Sequence, residues 1–420
     1  NQTWAIFQDE RGVVYFGNND GILEFDGTSW NLIELSNKST VRSFAEDPDD
    51  KRIYVGGAGD FGYLKPDHAG TLYYVSLIDK IPENYRDFED VWHIAAFDDQ
   101  VIFNTFSALY ILKDDTIKTI LPENRFHVAS FVNKKYYIRD QDKGLFKWTE
   151  GKLQFIEQSE QFAYKRIYGM FPYEDGSILI LTRKHGIFLY SPEAENRFKK
   201  LNKFREVDEI LINNLVYCAI QLPGKQFAAG TSLGGILIFD EEGEIIRHIH
   251  RQSGLLDNDV LFLYTDSQNN LWVGLSNGIS YLILNSPFTL YTDKSGLEGF
   301  SSTAMSFNDK LYIGTSSGLF QRDPDNNFIK IDNSESFICH LEDLKGHMLI
   351  GHNNGLFTLD NGIIQDLYDQ STVWCFDNLN AKSPGPNTPK DHNNKYFLLA
   401  GTANGLILLE YENNNWVYKH

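Results

Sequence analysis

The sequence predicts an all-β fold, a β-propeller of about ten four-stranded blade units. Three observations carry that expectation. A short apolar strand that ends in glycine and is followed by a polar hairpin recurs along the chain. It recurs at intervals of roughly 37 to 50 residues, close to the 40 to 45 or so that a four-stranded blade occupies. The chain also holds 33 glycines against 12 prolines, which suits many tight hairpins better than linkers. A two-sheet sandwich would give short strands too, but it does not account for one motif at one period.

The clearest copy is DVLFLYTDSQNNLWVGLSNGISYLIL, from Asp259 to Leu284. Val260 to Thr265 is apolar and β-branched or aromatic and reads as a strand, Asp266 to Asn270 as a polar turn, and Leu271 to Gly274 as a second, buried strand. Ser276-Asn277-Gly278 supplies a tight turn whose glycine can take positive φ, and Ile279 to Leu284 runs outward again. A fourth strand is expected around Phe288 to Thr292.

The strand-end glycine recurs at Gly17, Gly56, Gly230, Gly274, Gly314, Gly351 and Gly401. Three degenerate units fill the gap between Gly56 and Gly230, beginning VWHIAAF, FHVASFV and IYGMFPY. Ten units therefore start near Thr3, Val41, Val91, Phe126, Ile167, Val216, Val260, Thr303, Ile338 and Val373, and the widest interval contains a polar insertion, 380–394. Seven units fall within the four to eight blades of ordinary rings. Residues 1–296 are accordingly expected to form a first, seven-bladed propeller. Residues 297–420 then hold three blades that cannot close alone, and are expected to begin a second ring. A single ring of ten is the alternative. The chain opens inside a strand, so further sequence before Asn1 and after His420 is expected.

The first strand of each unit should line the axis, buried on both faces and apolar throughout. Trp4, Trp92, Tyr168, Tyr217 and Trp374 share one register, a residue after the unit start, where they either pack between blades or rim a central opening. Arg42, Asp90, Arg125, His127, Arg166, Asn214, Asn258 and Asp259 sit at the strand starts, which a propeller brings together on one face. Arg42, Arg125 and Arg166 with Trp4, Trp92 and Tyr168 form the candidate ligand-binding set. Guanidinium forks suit carboxylates or sugar hydroxyls, and aromatic faces cover the apolar side of a sugar ring. Taken singly, each member has a structural alternative, such as pairing with Glu89 or Asp90.

A net charge of −19 argues against a nucleic-acid partner. No apolar run approaches the length of a membrane helix. Cys218, Cys339 and Cys375 all lie in first strands, an odd set without paired spacing, and are expected to be small buried hydrophobes. No HExxH, GxSxG or nucleotide-binding glycine loop is present, and acidic stretches such as Asp47-Pro48-Asp49-Asp50 read as turns. His93 and His340 share a register in different rings, and no nucleophile, base and orienter set emerges. No catalytic, metal or cofactor site is therefore expected.

The run GLLDNDVLFLYTDSQNNLWVGLSNGISYLI resembles the two-component regulator propeller repeat, through Asn258, Asp266, Leu271-Trp272-Val273-Gly274 and Gly278. The opening NQTWAIFQDERGVVYFGNNDGILEFDGTSW resembles sensor propellers of membrane-anchored regulators in Bacteroidetes-type bacteria. The resemblance implies a periplasmic, non-catalytic ectodomain: two propellers, a tyrosine-rich β-sandwich, a membrane helix downstream, and a kinase or helix-turn-helix output. It implies a small-molecule or oligosaccharide ligand and leaves a homodimer open, and it transfers no ligand residues. Two other functions compete, a protein-interaction scaffold and a propeller lyase with an axial histidine and metal.

Overall fold

Each apolar run is short and ends in a polar turn, so the chain folds as a succession of antiparallel hairpins rather than as long strands. The computed structural model describes residues 2–286, 288, 291, 293–324, 326–360, 362–378 and 396–419. It is an all-β propeller structure of ten antiparallel sheets in which strand order follows chain order. Nine sheets have four strands. The seventh has three among the described residues, Val260–Thr265, Leu271–Leu275 and Gly278–Leu282. Of the strand expected at 288–292 only 288 and 291 are described, in no strand, and the polar insertion 380–394 lies outside the described residues. No helix among the described residues is long and apolar enough to cross a membrane.

The chain divides into two units, Asn1–Pro287 with seven sheets and Phe288–His420 with three. Within the first unit, apolar clusters sit between sheets rather than inside any one of them. Tyr15, Val41 and Val55 join the first sheet to the second, and comparable clusters join each later pair. A last cluster, Ile6, Val14 and Phe16 against Phe262, Trp272 and Ile279, joins the seventh sheet to the first. In the second unit two clusters join three successive sheets.

The recurrent strand-end glycine has a spatial cause. A Cβ on Gly17 would stand 2.8 Å from a Val41 methyl, one on Gly56 2.6 Å from Val91, and one on Gly230 2.5 Å from Val260. Each glycine thus faces a residue at or just before the start of the next sheet, at a distance no side chain tolerates. Gly274 follows the rule around the unit: its Cβ would stand 2.6 Å from the Thr3 carbonyl oxygen. Gly401 differs, because its near neighbours are Sγ and the carbonyl oxygen of Cys375 in its own sheet. The hairpin glycine Gly278 has φ 102°, as its turn requires.

Two expectations need correction. The first strand of each sheet is not the most buried. In several sheets the second is, as in Val14–Asn18, Ile53–Gly57 and Ile178–Thr182, where every residue is buried. First strands alternate, because one side borders a cavity. Nor are the cysteines uniformly buried: all three are free thiols, Cys218 and Cys339 half-buried and Cys375 exposed.

The sequence reading contains no helix, yet Arg205–Asn214 forms one between the fifth and sixth sheets. Val207 and Leu211, four apart, bury one face among Phe204, Phe227 and Phe239. Asp208 accepts the Ile187 amide at 2.7 Å, and Leu215 ends the helix at φ 62°.

Candidate functional site: an arginine and aromatic belt around a cavity

One irregularity recurs where the inner strands begin. In the first sheet Thr3 pairs with Asn18 and Ala5 with Gly17, leaving Trp4 without a partner. The same skip falls on Arg42, Tyr168, Tyr217 and Leu261. Such a bulge bends the strand and re-aims the extra side chain. Here all five line one cavity of about 800 Å³ bordered by the inner strands of the first unit, within the range of small-ligand sites.

Six rings form a continuous belt around that cavity. Trp4 meets Trp92 edge-on at 6.5 Å, Trp92 stacks on Phe106 at 5.4 Å, and Phe106 stacks on His127 at 5.8 Å. His127 meets Tyr168 at 5.3 Å, and Tyr168 stacks on Tyr217 at 5.5 Å. Guanidinium groups lie over these rings. Arg42 sits 3.8 Å from the Trp4 centroid and 5.0 Å from that of Trp92, Arg125 4.6 Å from Phe106, and Arg183 5.7 Å from Tyr168.

All six candidate residues, Arg42, Arg125, Arg166, Trp4, Trp92 and Tyr168, line this cavity. The pairing with Glu89 and Asp90 weighed against them is present as well. Arg42 Nε donates to Asp90 Oδ1 at 2.8 Å between mostly buried side chains, and Arg125 Nη2 reaches Glu89 at 3.0 Å between exposed ones. Arg166 makes no side-chain ion pair or hydrogen bond to the described residues. Arg139 was not singled out from the sequence. It is 4% exposed, and its Nε donates to the Phe162 carbonyl at 2.6 Å while Nη2 donates to that of Ala163. Burial and the nearby Arg166 push its pKa down.

Among the described residues, the wall contains four arginines and no aspartate or glutamate. Its two histidines are neutral at physiological pH. Burial, reinforced by Arg139, Arg166 and Arg125, takes His127 down to about 3, and burial takes His93 to about 4. Four wall atoms are buried without a hydrogen-bond partner among the described residues: Arg42 Nη1, Trp92 Nε1, His93 Nδ1 and His127 Nδ1. Buried polar atoms in that state are costly. No three His, Cys, Asp or Glu side chains among the described residues converge as a metal site, and His340 pairs with Glu342 at 3.3 Å in the second unit.

Residues 254–277 match the two component regulator propeller model. The repeat that best displays the blade is thus the one the family model recognises. No curated protein matches the chain. Among solved structures, the extracellular domain assigned to the hybrid two component system BT3049 of B. thetaiotaomicron is similar over 100% of this chain and 58% of its own, at 20% identity and TM-score 0.64. That assigned to the one component system BT4673 of the same organism is similar over 97% and 57%, at 18% identity and TM-score 0.52. Virginiamycin B lyase from Staphylococcus aureus, solved with quinupristin, is similar over 66% and 93%, at 12% identity and TM-score 0.50. At these identities the likeness shows the propeller fold. The chain spans less than two thirds of the two regulator structures.

Proposed function

We propose that this chain is a non-catalytic, ligand-sensing ectodomain of a membrane-anchored signal-transduction or transcription regulator, working in the periplasm. In this reading the seven sheets of the first unit close one ring and the three of the second begin another. The tether and output domain then belong to sequence outside the chain. The carrying observation is the cavity wall itself, where bulged residues from five sheets line one cavity ringed by an aromatic and arginine belt. A binding site is the use for such a wall that needs no reacting group, and extracellular domains of regulators share the fold.

A thermal-shift screen of oligosaccharides, followed by calorimetry on Arg42→Ala, Arg125→Ala and Arg166→Ala, tests it. Binding that weakens in these variants while the fold stays intact supports the reading. Binding unchanged in all three means the ligand sits elsewhere.

A further inference from the structure

We infer that the cavity takes an anionic ligand, a sugar-sized molecule whose carboxylate or sulfate group is held by Arg166, Arg139 and Arg125. This rests on the sensing reading above and adds the chemical class of the ligand. The first ground is charge. The chain carries −19 overall, yet among the described residues this wall gathers four arginines and no acid. Arg42 is neutralised locally by Asp90. Arg139 gives its donors to main-chain carbonyls, which carry no charge, and Arg166 has no side-chain partner among the described residues. The Arg125–Glu89 pair joins side chains 51% and 73% exposed, a link that contributes little in water and that a ligand anion can displace.

The second ground is the kind of group on the wall. Guanidinium groups can only donate, and Arg166 is exposed with no side-chain hydrogen bond or ion pair among the described residues. A carboxylate or sulfate can only accept, and charge-assisted bonds to guanidinium are among the stronger ones available. The belt of rings then covers the apolar face of the sugar that carries the anion.

Calorimetry on the whole chain with three probes tests this: tetragalacturonate for a carboxylate, a 6-sulfated N-acetylgalactosamine disaccharide for a sulfate, and cellotetraose as a neutral control. At least one anionic probe is expected to bind at least about tenfold more tightly than cellotetraose. Arg166→Gln, an exposed change, should weaken it by about ten- to a hundredfold, with Arg125→Gln as the second variant. The inference is overturned if neither anionic probe binds, if cellotetraose binds as tightly as they do, or if both variants bind the anion like wild type. Cellotetraose binding without preference for the anion leaves the sensing reading standing. Binding by none of the three counts against both.

Discussion

Replacing Gly274 by alanine tests the contact that joins the seventh sheet to the first. The new Cβ would stand 2.6 Å from the Thr3 carbonyl oxygen, where ordinary contact begins near 3.4 Å, so the opening strand must retreat by about 0.8 Å. That strand has little room, because Ala5 and Ile6 beside it are 0% and 2% exposed. Overpacking of this kind costs about 1 to 3 kcal/mol, and an obstacle made of backbone puts Gly274→Ala in the upper half, about 2 to 3 kcal/mol. Gly401→Ala is the control, since its Cβ meets a cysteine side chain at 2.9 Å that can rotate away, and about 1 kcal/mol or less is expected there. Both changes reduce unfolded-state freedom alike, so their difference isolates the packing. Urea unfolding followed by tryptophan fluorescence, with each variant scored on its own unit's transition, measures it. A loss under about 0.5 kcal/mol for Gly274→Ala would mean that Thr3 does not lie against the seventh sheet, and closure at seven would fail.

Arg42→Ala should cost about 1 to 3 kcal/mol, because it strands Asp90 and removes a cation stacked on two indoles. Arg166→Ala should stay within about 0.5 kcal/mol, having no partner to lose; urea titrations compare the two. Histidine titrates near 6.5 when unfolded, but His127 and His93 titrate at about 3 and about 4 when folded. The folded state therefore binds fewer protons between those limits, so stability is full above pH 6.5 and falls as pH drops toward 3. His127→Gln should flatten the fall in Tm between pH 6.5 and 4. Leu211→Ala, buried beneath the helix at 1% exposure, should cost about 2 to 5 kcal/mol in chemical denaturation.

Most of the blade pattern was legible because its marker is a steric necessity. Gly17, Gly56, Gly230 and Gly274 are small since the next sheet begins against them, and that need recurs with the period. The middle blades were harder to read for the same physical reason. In the fifth sheet the space is made by Gly169 on the inner strand, opposite Leu181, where a Cβ would meet Ala219 of the next sheet at 3.1 Å. The register of Trp4, Tyr168 and Tyr217 was visible in the sequence, but its cause, a bulge, is a property of paired strands and needs coordinates. Arg139 escaped notice because it comes from a second strand, Lys135–Asp140, where Tyr136, Tyr137 and Ile138 before it are buried. A charged residue within KYYIRD, among positions that are apolar or small elsewhere, was the available signal. The helix Arg205–Asn214 was hidden by its shortness, although Val207 and Leu211 carried its spacing.

The central claim is that a ligand is bound where the inner strands of the first unit begin. Hydrogen–deuterium exchange, with and without a probe that binds, tests this most directly, because protection maps to segments without any substitution. Added protection is expected at 3–5, 91–94, 125–130 and 166–170, with outer strands such as Thr116–Ile120 unchanged. Protection confined to the outer strands, or to 301–419 alone, would contradict it.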